Sequence, residues 1–261
     1  MGWKAVAHSA IGTSHQAKEI PCQDYGNFRI LNDVIVGAVA DGAGSAKYAD
    51  LGANLAVEKA LAYLGGIEEW LQKRKGFWQQ NPNPLSEEMA RKLFTKLLKK
   101  VVKNLHKQAE NKGYVINDFA CTLLVFVATP EWITAMQIGD GFMVVRPQKG
   151  EHQLLFKPDK GEFINETTFV TSENALEEMQ VSILSGKQQF ICASTDGLER
   201  VAIRMSDWAP FPPFFNPLEE CLRETDNPQE QDEYVKMFLD SERLNARTND
   251  DKTLLLCLFD L

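Results

Sequence analysis

The chain contains 261 residues, 44% of them hydrophobic and 25% charged, which is enough apolar side chain to build the core of one continuous domain over residues 1–261. The formal net charge is −8, and this argues against nucleic acid as a partner because phosphate backbones are bound by basic surfaces. No apolar stretch is long enough to span a membrane and the N-terminus lacks the apolar core of a secretory leader, so we expect a cytoplasmic protein.

The first half of the chain is predicted to form strands and then helices. Strand-like runs cover 3–12 and 28–41, and helical spacing of apolar residues covers 46–64, 67–78 and 89–109. Ser86 is placed to cap the last of these helices. One face of that helix is rich in lysine, which could bind an acidic partner or a membrane surface, but an ordinary surface helix packed on a core explains the pattern better.

The second half is predicted to be mostly strand, with two further helices. Strands are predicted over 118–129, 132–138, 142–146, 153–156, 183–194 and 253–259, and helices over 218–225 and 229–239. The proline- and phenylalanine-rich segment 206–217 is interpreted as an irregular surface excursion, and 157–184 favours no single type of element. Antiparallel-looking strand groups with helices between them predict an α+β fold in which packed sheets are covered by helices.

The five cysteines are far apart along the chain and show no C-x-x-C spacing. Three of them, Cys121, Cys192 and Cys257, lie within apolar runs, so we expect buried thiols rather than zinc ligands or disulfides. This pattern favours a reducing compartment, in agreement with a cytoplasmic location.

Three of the predicted strands end on an Asp-Gly pair, and a fourth is preceded by two aspartates. The pairs begin at Asp41, Asp140 and Asp196, while Asp250 and Asp251 precede the last strand. If the strands are antiparallel neighbours, an aspartate leaving one strand and an aspartate entering the next meet at one sheet edge. Any pair could also be a simple hairpin turn, Asp140-Gly141 in particular. Their repetition favours a cation site, because clustered carboxylates are costly unless a charge neutralises them.

Short motifs follow one another along nearly the whole chain. They are Cys22-Gln23-Asp24, Val39-Ala40-Asp41-Gly42-Ala43-Gly44, Ala120-Cys121-Thr122, Gly139-Asp140-Gly141, Ser194-Thr195-Asp196-Gly197 and Asp250-Asp251-Lys252-Thr253. Their joint order and spacing resemble the metal-dependent type 2C Ser/Thr protein phosphatases. The resemblance implies a central antiparallel β-sandwich flanked by helices on both sides, in α-β-β-α layers. It also implies two Mg²⁺ or Mn²⁺ ions at one end of the sandwich, with a weaker third ion.

The resemblance further implies a role for each matching residue. Asp41 would bridge the two ions, and the backbone carbonyl of Gly42 would bind one of them, since glycine lets the backbone approach closely. Asp196 would hold the other ion together with Asp250, Asp251 or both, and Asp250 is the better match to the family position.

Two more carboxylates complete this implied ligand set. Asp24 would bind directly or through a water molecule, and Asp140 resembles the carboxylate that helps to bind the third ion. An all-oxygen set without histidine or cysteine suits Mg²⁺ or Mn²⁺. A water bridging two such ions loses a proton readily, and the resulting hydroxide would attack phosphorus in line.

The chain departs from the family pattern in two places. Gln23 stands where many members have an acidic residue, so a neutral oxygen donor replaces one carboxylate. The usual phosphate-binding arginine is missing from the segment before that motif, where His15 or Lys18 could take its place. We favour His15, because an imidazolium can both hydrogen-bond to phosphate and protonate the leaving group.

The resemblance therefore implies an enzyme that hydrolyses phosphoserine and phosphothreonine in a phosphorylated protein substrate. The alternative is a regulatory module of the same fold that binds a partner or phosphopeptide with little turnover, and the two departures support it. Retention of Asp41, Asp196 and Asp250 favours the enzyme, because clustered carboxylates destabilise a fold and a module without turnover has no need of them. The sequence leaves the oligomeric state open and is compatible with a monomer.

Overall fold

The computed structural model describes residues 2–67, 84–156 and 167–260. The helix predicted over 67–78 lies outside these residues except for Ile67. Within the described ranges, no helix combines the length and the apolar composition that crossing a membrane requires.

Two five-stranded antiparallel sheets form the centre of the fold. The strands of the first are, from edge to edge, β1 (Gly2–Ala10), β12 (Lys252–Asp260), β9 (Gln188–Ser194), β6 (Phe142–Pro147) and β7 (Gln153–Leu154). Those of the second are β2 (Asp24–Leu31), β3 (Val34–Asp41), β4 (Leu123–Ala128), β5 (Trp132–Ile138) and β8 (Gln180–Ser185). A separate short ribbon pairs β10 (Ile203–Arg204) with β11 (Ala209–Pro210).

The two sheets pack face to face around a shared apolar core. Ile35 and Leu124 of the second sheet and Ile191 and Leu255 of the first belong to this core, and all four side chains are buried. Because side chains alternate along a strand, the opposite face of each sheet also carries apolar residues that must be covered.

Helices cover both outer faces. The α-helices of the described residues are, in chain order, α1 (Thr13–Gln16), α2 (Ala49–Leu64), α3 (Glu87–Lys112), α4 (Glu199–Ala202), α5 (Pro212–Glu224), α6 (Pro228–Leu239) and α7 (Glu242–Asn245). The apolar faces of α2 and α3 pack on the second sheet, and those of α5 and α6 pack on the first. The α-β-β-α layering confirms the predicted fold class.

The lysine-rich helix α3 is an ordinary surface helix. Ser86 accepts a hydrogen bond from the Met89 amide at its start, and Gly113 ends it with a left-handed φ of 71°. Leu97 and Val101 on its inner face are buried, whereas the lysines of its other face are exposed. The structure thus agrees with the interpretation favoured from the sequence.

Two sequence predictions are wrong in detail. The segment 28–41 is a hairpin rather than one strand, because Asn32 takes a left-handed φ of 50° and turns the chain between β2 and β3. Much of the segment predicted to be irregular, 206–217, is the start of α5. Pro212 and Pro213 occupy the first helical turn, where the missing amide hydrogens cost nothing.

The turn at Asp140 and Gly141 does not close a hairpin. It joins β5 of the second sheet to β6 of the first, so the chain crosses between sheets at that point. The turn at Ser185 and Gly186 does the same between β8 and β9. The hairpin alternative for Asp140-Gly141 is therefore wrong, and the turn carries a carboxylate into the space between the sheet ends.

Candidate metal centre

The strand pairings bring the predicted carboxylates to one end of the sandwich. Asp24, the first residue of β2, lies directly opposite Asp41, the last residue of β3. In the other sheet, Asp196 follows the end of β9, and Asp250 precedes the start of its antiparallel neighbour β12. Each sheet therefore contributes one pair of aspartates at an edge of the kind that the sequence predicted.

The tightest cluster is formed by Asp41, Asp140 and Asp196. One carboxylate oxygen of each residue lies within 4.8 Å of the corresponding oxygens of the other two, and all three side chains are half-buried. Within the described ranges, neither a lysine nor an arginine forms an ion pair with any of the three. Oxygen ligands converging from three separate elements suit a hard divalent cation.

Burial raises the pKa of the clustered carboxyl groups. It is the main cause for Asp41, where the charges of Asp24 and Asp196 add to it, and for Asp24, where it outweighs a hydrogen bond from Thr195. Burial, followed by the charges of Asp140 and Asp250, raises the pKa of Asp196 to about 7. A bound divalent cation would reverse these shifts because it stabilises the ionised carboxylates.

Two threonines hold the aspartates of the second sheet, one through a carboxylate and the other through a backbone amide. The Thr195 hydroxyl donates a 2.5 Å hydrogen bond to Asp24 Oδ2, and the Thr122 hydroxyl accepts one of 2.9 Å from the Asp41 amide. Both threonines belong to short motifs that point to the family, but their contacts reach across the fold, and we did not assign them a role from the sequence. They hold the aspartates in place, which lowers the entropy lost when an ion binds.

A second pair of residues holds the crossing turn that carries Asp140. The side-chain amide of Gln137 donates hydrogen bonds to the carbonyls of Gly139 and Gly141, at 3.0 and 2.7 Å. The Thr167 hydroxyl donates a 2.8 Å hydrogen bond to Asp140 Oδ2. Nothing in the sequence signals either residue, because a lone glutamine in a strand and a threonine in a polar segment have no distinctive pattern.

Gln23, which directly precedes Asp24 in the chain, has an unsatisfied buried oxygen that agrees with a cation at this site. Its side-chain oxygen Oε1 is buried and finds no hydrogen-bond partner among the described residues. A buried acceptor without a partner costs about 1–3 kcal/mol. A metal ion or one of its waters would satisfy this oxygen, so the residues present fit a divalent cation with one neutral ligand in place of a carboxylate.

Asp251 is engaged in a different way from its neighbours. Its Oδ1 accepts a 2.6 Å hydrogen bond from the Gly12 amide, and its Oδ2 accepts one of 2.6 Å from the Gln23 amide. His15 Nδ1 lies 2.9 Å from the same Oδ2. With both oxygens occupied, Asp251 is better placed to position His15 than to bind a metal, and Asp250 is the more accessible of the two aspartates.

Lys18, the other predicted phosphate ligand, lies in the turn that follows α1. Its side chain is exposed, and within the described residues it forms no ion pair. His15 is held by Asp251, whereas Lys18 is not held by any described side chain. The structure therefore brings His15 into contact with the site and leaves Lys18 at the surface.

Comparison with known proteins places this geometry in a family. The family model described as Protein phosphatase 2C matches residues 11–239. The chain is 37% identical to Serine/threonine-protein phosphatase 3 of Escherichia coli (strain K12), over 99% of both chains. It belongs to the protein phosphatase 2C family. The chain is thus a phosphatase, and the resemblance stated from its motifs is confirmed.

Solved structures share the fold of this 2C phosphatase at low sequence identity. The serine/threonine phosphatase Stp1 from Staphylococcus aureus is 11% identical, with a TM-score of 0.61 over 100% of this chain and 96% of that one. The serine/threonine phosphatase of S. agalactiae is 13% identical, with a TM-score of 0.62 over 99% and 100% of the two chains. At such identities, the likeness establishes the fold alone.

Gly197 is required by close packing beside the aspartate cluster of this phosphatase. A Cβ atom built there would lie 1.9 Å from the Asp251 carbonyl oxygen. We expect Gly197→Ala to displace the Asp250-Asp251 segment, to cost about 1–3 kcal/mol of unfolding free energy and to reduce turnover. Thermal melts and phosphatase assays measure both effects.

Gly44→Ala is the matched control for this substitution. A Cβ at Gly44 meets no atom within 4 Å, although Gly44 belongs to the loop that follows Asp41. We expect its stability to stay within about 0.5 kcal/mol of the wild type. Equal behaviour of the two alanine variants would contradict the packing role of Gly197.

Proposed function

We propose that this 2C phosphatase hydrolyses phosphoserine and phosphothreonine in proteins with the help of two divalent cations, Mn²⁺ or Mg²⁺, and a weaker third. The observation that carries the proposal is the convergence of Asp41, Asp140 and Asp196 within 4.8 Å at one end of the sandwich. The 37% identity with a relative named as a serine/threonine-protein phosphatase supports the substrate class.

The proposed ligands come from both sheets. Asp41 and the Gly42 carbonyl would hold one ion, with Asp24 and Gln23 beside it, and Asp41 would also reach the second ion. The remaining proposed ligands are Asp196 and Asp250 for the second ion and Asp140 for the third. Bound there, the cations would activate water for attack on phosphorus and neutralise the phosphoryl oxygens. Asp251 stays a predicted ligand, although its hydrogen bonds favour a positioning role.

His15 is the proposed contact for the substrate phosphate. Asp251 holds His15 Nδ1, so Nε2 is the ring nitrogen left to donate a hydrogen bond to a phosphoryl oxygen or to the leaving oxygen. The side chain of His15 is 17% exposed, which leaves it accessible while limiting its movement. Lys18 is the less supported alternative because no described side chain positions it.

We expect His15→Ala to lower kcat/KM at least tenfold, since a positioned proton donor contributes about 10²–10⁴-fold to a rate. His8→Ala is the control, because His8 Nδ1 also faces an aspartate, Asp232, at 3.4 Å but lies on β1. Steady-state kinetics on a phosphopeptide measure both variants. Equal losses in the two variants, or none in either, would make His15 a structural residue.

The proposed function is tested by metal-dependent hydrolysis. The metal-stripped protein is assayed on an aryl phosphate and on phosphoserine and phosphothreonine peptides, with Mn²⁺ and Mg²⁺ titrated separately. We expect turnover that needs the ion. A protein that binds the peptides and Mn²⁺ without turning over either kind of substrate would instead support the regulatory module, which the neutral Gln23 favours.

We also propose a cytoplasmic location. All five cysteines are free, and Cys121, Cys192 and Cys257 are buried, as predicted. Burial raises the pKa of the Cys121 and Cys192 thiols well above the usual value, which keeps them protonated and unreactive. Unpaired thiols of this kind are typical of a reducing compartment.

A further inference from the structure

A groove lined by residues of α4, α5, α6 and α7 lies outside the aspartate cluster and combines apolar rings with arginines. It encloses a cavity of about 740 Å³. The residues that matter here are Arg200, Arg204, Arg243, Arg247, Phe211 and Tyr234. We call this feature the arginine groove. None of the described residues that line it is acidic, although the whole chain carries a net charge of −8.

Three of the four arginines of the groove are available to a partner. Arg204 is bound to Asp207, at 2.7 Å. Within the described part of the chain, Arg200, Arg243 and Arg247 make neither an ion pair nor a side-chain hydrogen bond, and all three are exposed. Guanidinium groups in this state suit carboxylates, which they bind through two parallel hydrogen bonds.

Exposed aromatic rings supply the apolar part of the groove. Phe211 is 44% exposed and Tyr234 is 41% exposed, whereas Phe214 behind them is buried. Aromatic and arginine side chains together are typical of the energetically dominant residues of protein interfaces. The groove therefore fits a chain segment that carries both an apolar side chain and several carboxylates.

The arginine groove is joined to the metal centre by two short pieces of chain. Arg200 follows Asp196 by four residues, through a 3₁₀ turn that continues into α4. Four residues of helix advance about 6–8 Å. On the other side, Arg247 precedes Asp250 by three residues. These short connections keep the groove near the aspartate cluster, as a peptide that contacts both requires.

We infer that the arginine groove binds an acidic segment of the phosphoprotein substrate, anchored by an apolar side chain. This inference rests on the proposed function, because the occupant is part of the protein that is dephosphorylated. The three unpaired arginines come from two separate parts of the chain, Arg200 from α4 and Arg243 and Arg247 from the 243–247 segment, which suits several carboxylates along a peptide better than one anionic group. In a chain with a net charge of −8, this local group of arginines would orient an acidic segment towards the groove.

Direct binding tests the groove without any turnover. The probe is a fluorescein-labelled, unphosphorylated peptide with one phenylalanine and four glutamates, measured by anisotropy in EDTA. We expect the Arg243→Ala/Arg247→Ala protein to bind it about tenfold more weakly than the wild type, and added salt to weaken the wild-type complex. The control, Arg91→Ala/Lys92→Ala, removes the same charge from the exposed face of α3 and should bind as the wild type does.

Kinetics then connect the groove to catalysis. The substrates are a phosphothreonine peptide with the acidic segment, the same peptide with glutamines in place of glutamates, and a small aryl phosphate. We expect the Arg243→Ala/Arg247→Ala protein to lose about tenfold in kcat/KM on the acidic peptide alone. The aryl phosphate should be hydrolysed at the wild-type rate, because it carries no acidic segment for the groove to bind.

The outcomes separate this inference from the proposed function. If the wild type shows no metal-dependent turnover of the aryl phosphate, the proposed function fails, and the anisotropy measurement still decides whether the groove binds acidic peptide. If turnover is metal-dependent but both arginine substitutions leave peptide binding and kcat/KM unchanged, the groove inference is wrong. The inference is also wrong if the groove binds a fatty acid such as dodecanoate but not the peptide. It is wrong, too, if the Arg243→Ala/Arg247→Ala substitution changes only the oligomeric state of the protein and not its binding of peptide.

Discussion

Asp41→Asn is expected to reduce metal-dependent hydrolysis by about 10³-fold or more, because it removes a proposed ligand of divalent cations that, when bound, would each stabilise the transition state by several kcal/mol. The substitution keeps the size of the side chain and the hydrogen bond between the Asp41 amide and Thr122. Assays over a range of Mn²⁺ concentrations measure the loss. They also distinguish weaker binding, which excess metal restores, from a lost catalytic geometry, which it does not.

Without metal, we expect Asp41→Asn to leave the stability of the fold unchanged or to increase it, although it lowers activity. A carboxyl group with a raised pKa in the folded state binds more protons when folded, so it stabilises the fold at low pH and loses that contribution as the pH rises. For Asp196 this loss runs from about pH 4 to about pH 7, and Asp41 shifts in the same direction. The metal-free wild type should therefore be less stable at pH 8 than at pH 5, and Asp41→Asn should be at least as stable as the wild type at pH 8.

Thermal melts with and without Mn²⁺ complete this test. A ligand at 100 times its dissociation constant adds about 2.7 kcal/mol of stability, so the wild-type melting temperature should rise clearly with metal and that of Asp41→Asn should rise much less. Asp33→Asn, in the exposed turn between β2 and β3, is the control and should behave as the wild type. If Asp41→Asn keeps turnover within tenfold of the wild type, or if Mn²⁺ raises its melting temperature as much as that of the wild type, Asp41 is not a metal ligand.

The strand ends that carry the carboxylates could be predicted from the sequence, because each is marked by a short local pattern of residues. An apolar run ending on an Asp-Gly pair marks both a strand and its end, and antiparallel pairing then places Asp196 near Asp250 without further information. The pairing of Asp24 with Asp41 follows from a hairpin that the sequence analysis missed, yet the family motif still selected both residues. Strand ends and short motifs were therefore enough to predict which aspartates converge at one end of the sandwich.

The residues that hold the centre could not be predicted because their contacts are distant in sequence. Asp251 accepts from the Gly12 amide, 239 residues away, and Thr195 donates to Asp24, 171 residues away. Backbone amides and hydroxyls of this kind occur throughout the chain, so no pattern distinguishes those that face a carboxylate. The helix α5 was missed for a different reason, since prolines at a helix start and prolines in a loop look the same in a sequence.

Glu219→Gln is expected to cost about 3 kcal/mol of unfolding free energy, because breaking a buried ion pair leaves the partner charge without compensation. Glu219 lies on α5 and is buried, and its carboxylate accepts hydrogen bonds from Arg146 on β6, at 2.8 Å, and from Arg223. His152 Nε2 lies 3.6 Å from it. These contacts link α5 to the first sheet. In Glu219→Gln, the charge of Arg146 would lose its partner while its side chain is only 14% exposed.

The stability cost of Glu219→Gln should depend on pH in a way that identifies the ion pair as its cause. Burial alone would raise the pKa of Glu219, but the nearby His152 and the hydrogen bonds and positive charges of Arg146 and Arg223 outweigh it and lower the pKa from 4.5 to about 2. Because the folded pKa is depressed, the stabilisation is complete above pH 4.5 and is lost as the pH falls towards 2. The difference in stability between the wild type and Glu219→Gln should therefore shrink across that window.

Glu220→Gln, at the exposed neighbouring position, should change stability by less than about 0.5 kcal/mol at any pH. Chemical denaturation at several pH values between 2.5 and 7 measures all three proteins. A pH-independent cost for Glu219→Gln would mean that lost packing, and not the ion pair, holds α5 on the sheet. A double substitution, Arg146→Met with Glu219→Leu, should cost less than Glu219→Gln alone, since it removes both charges together.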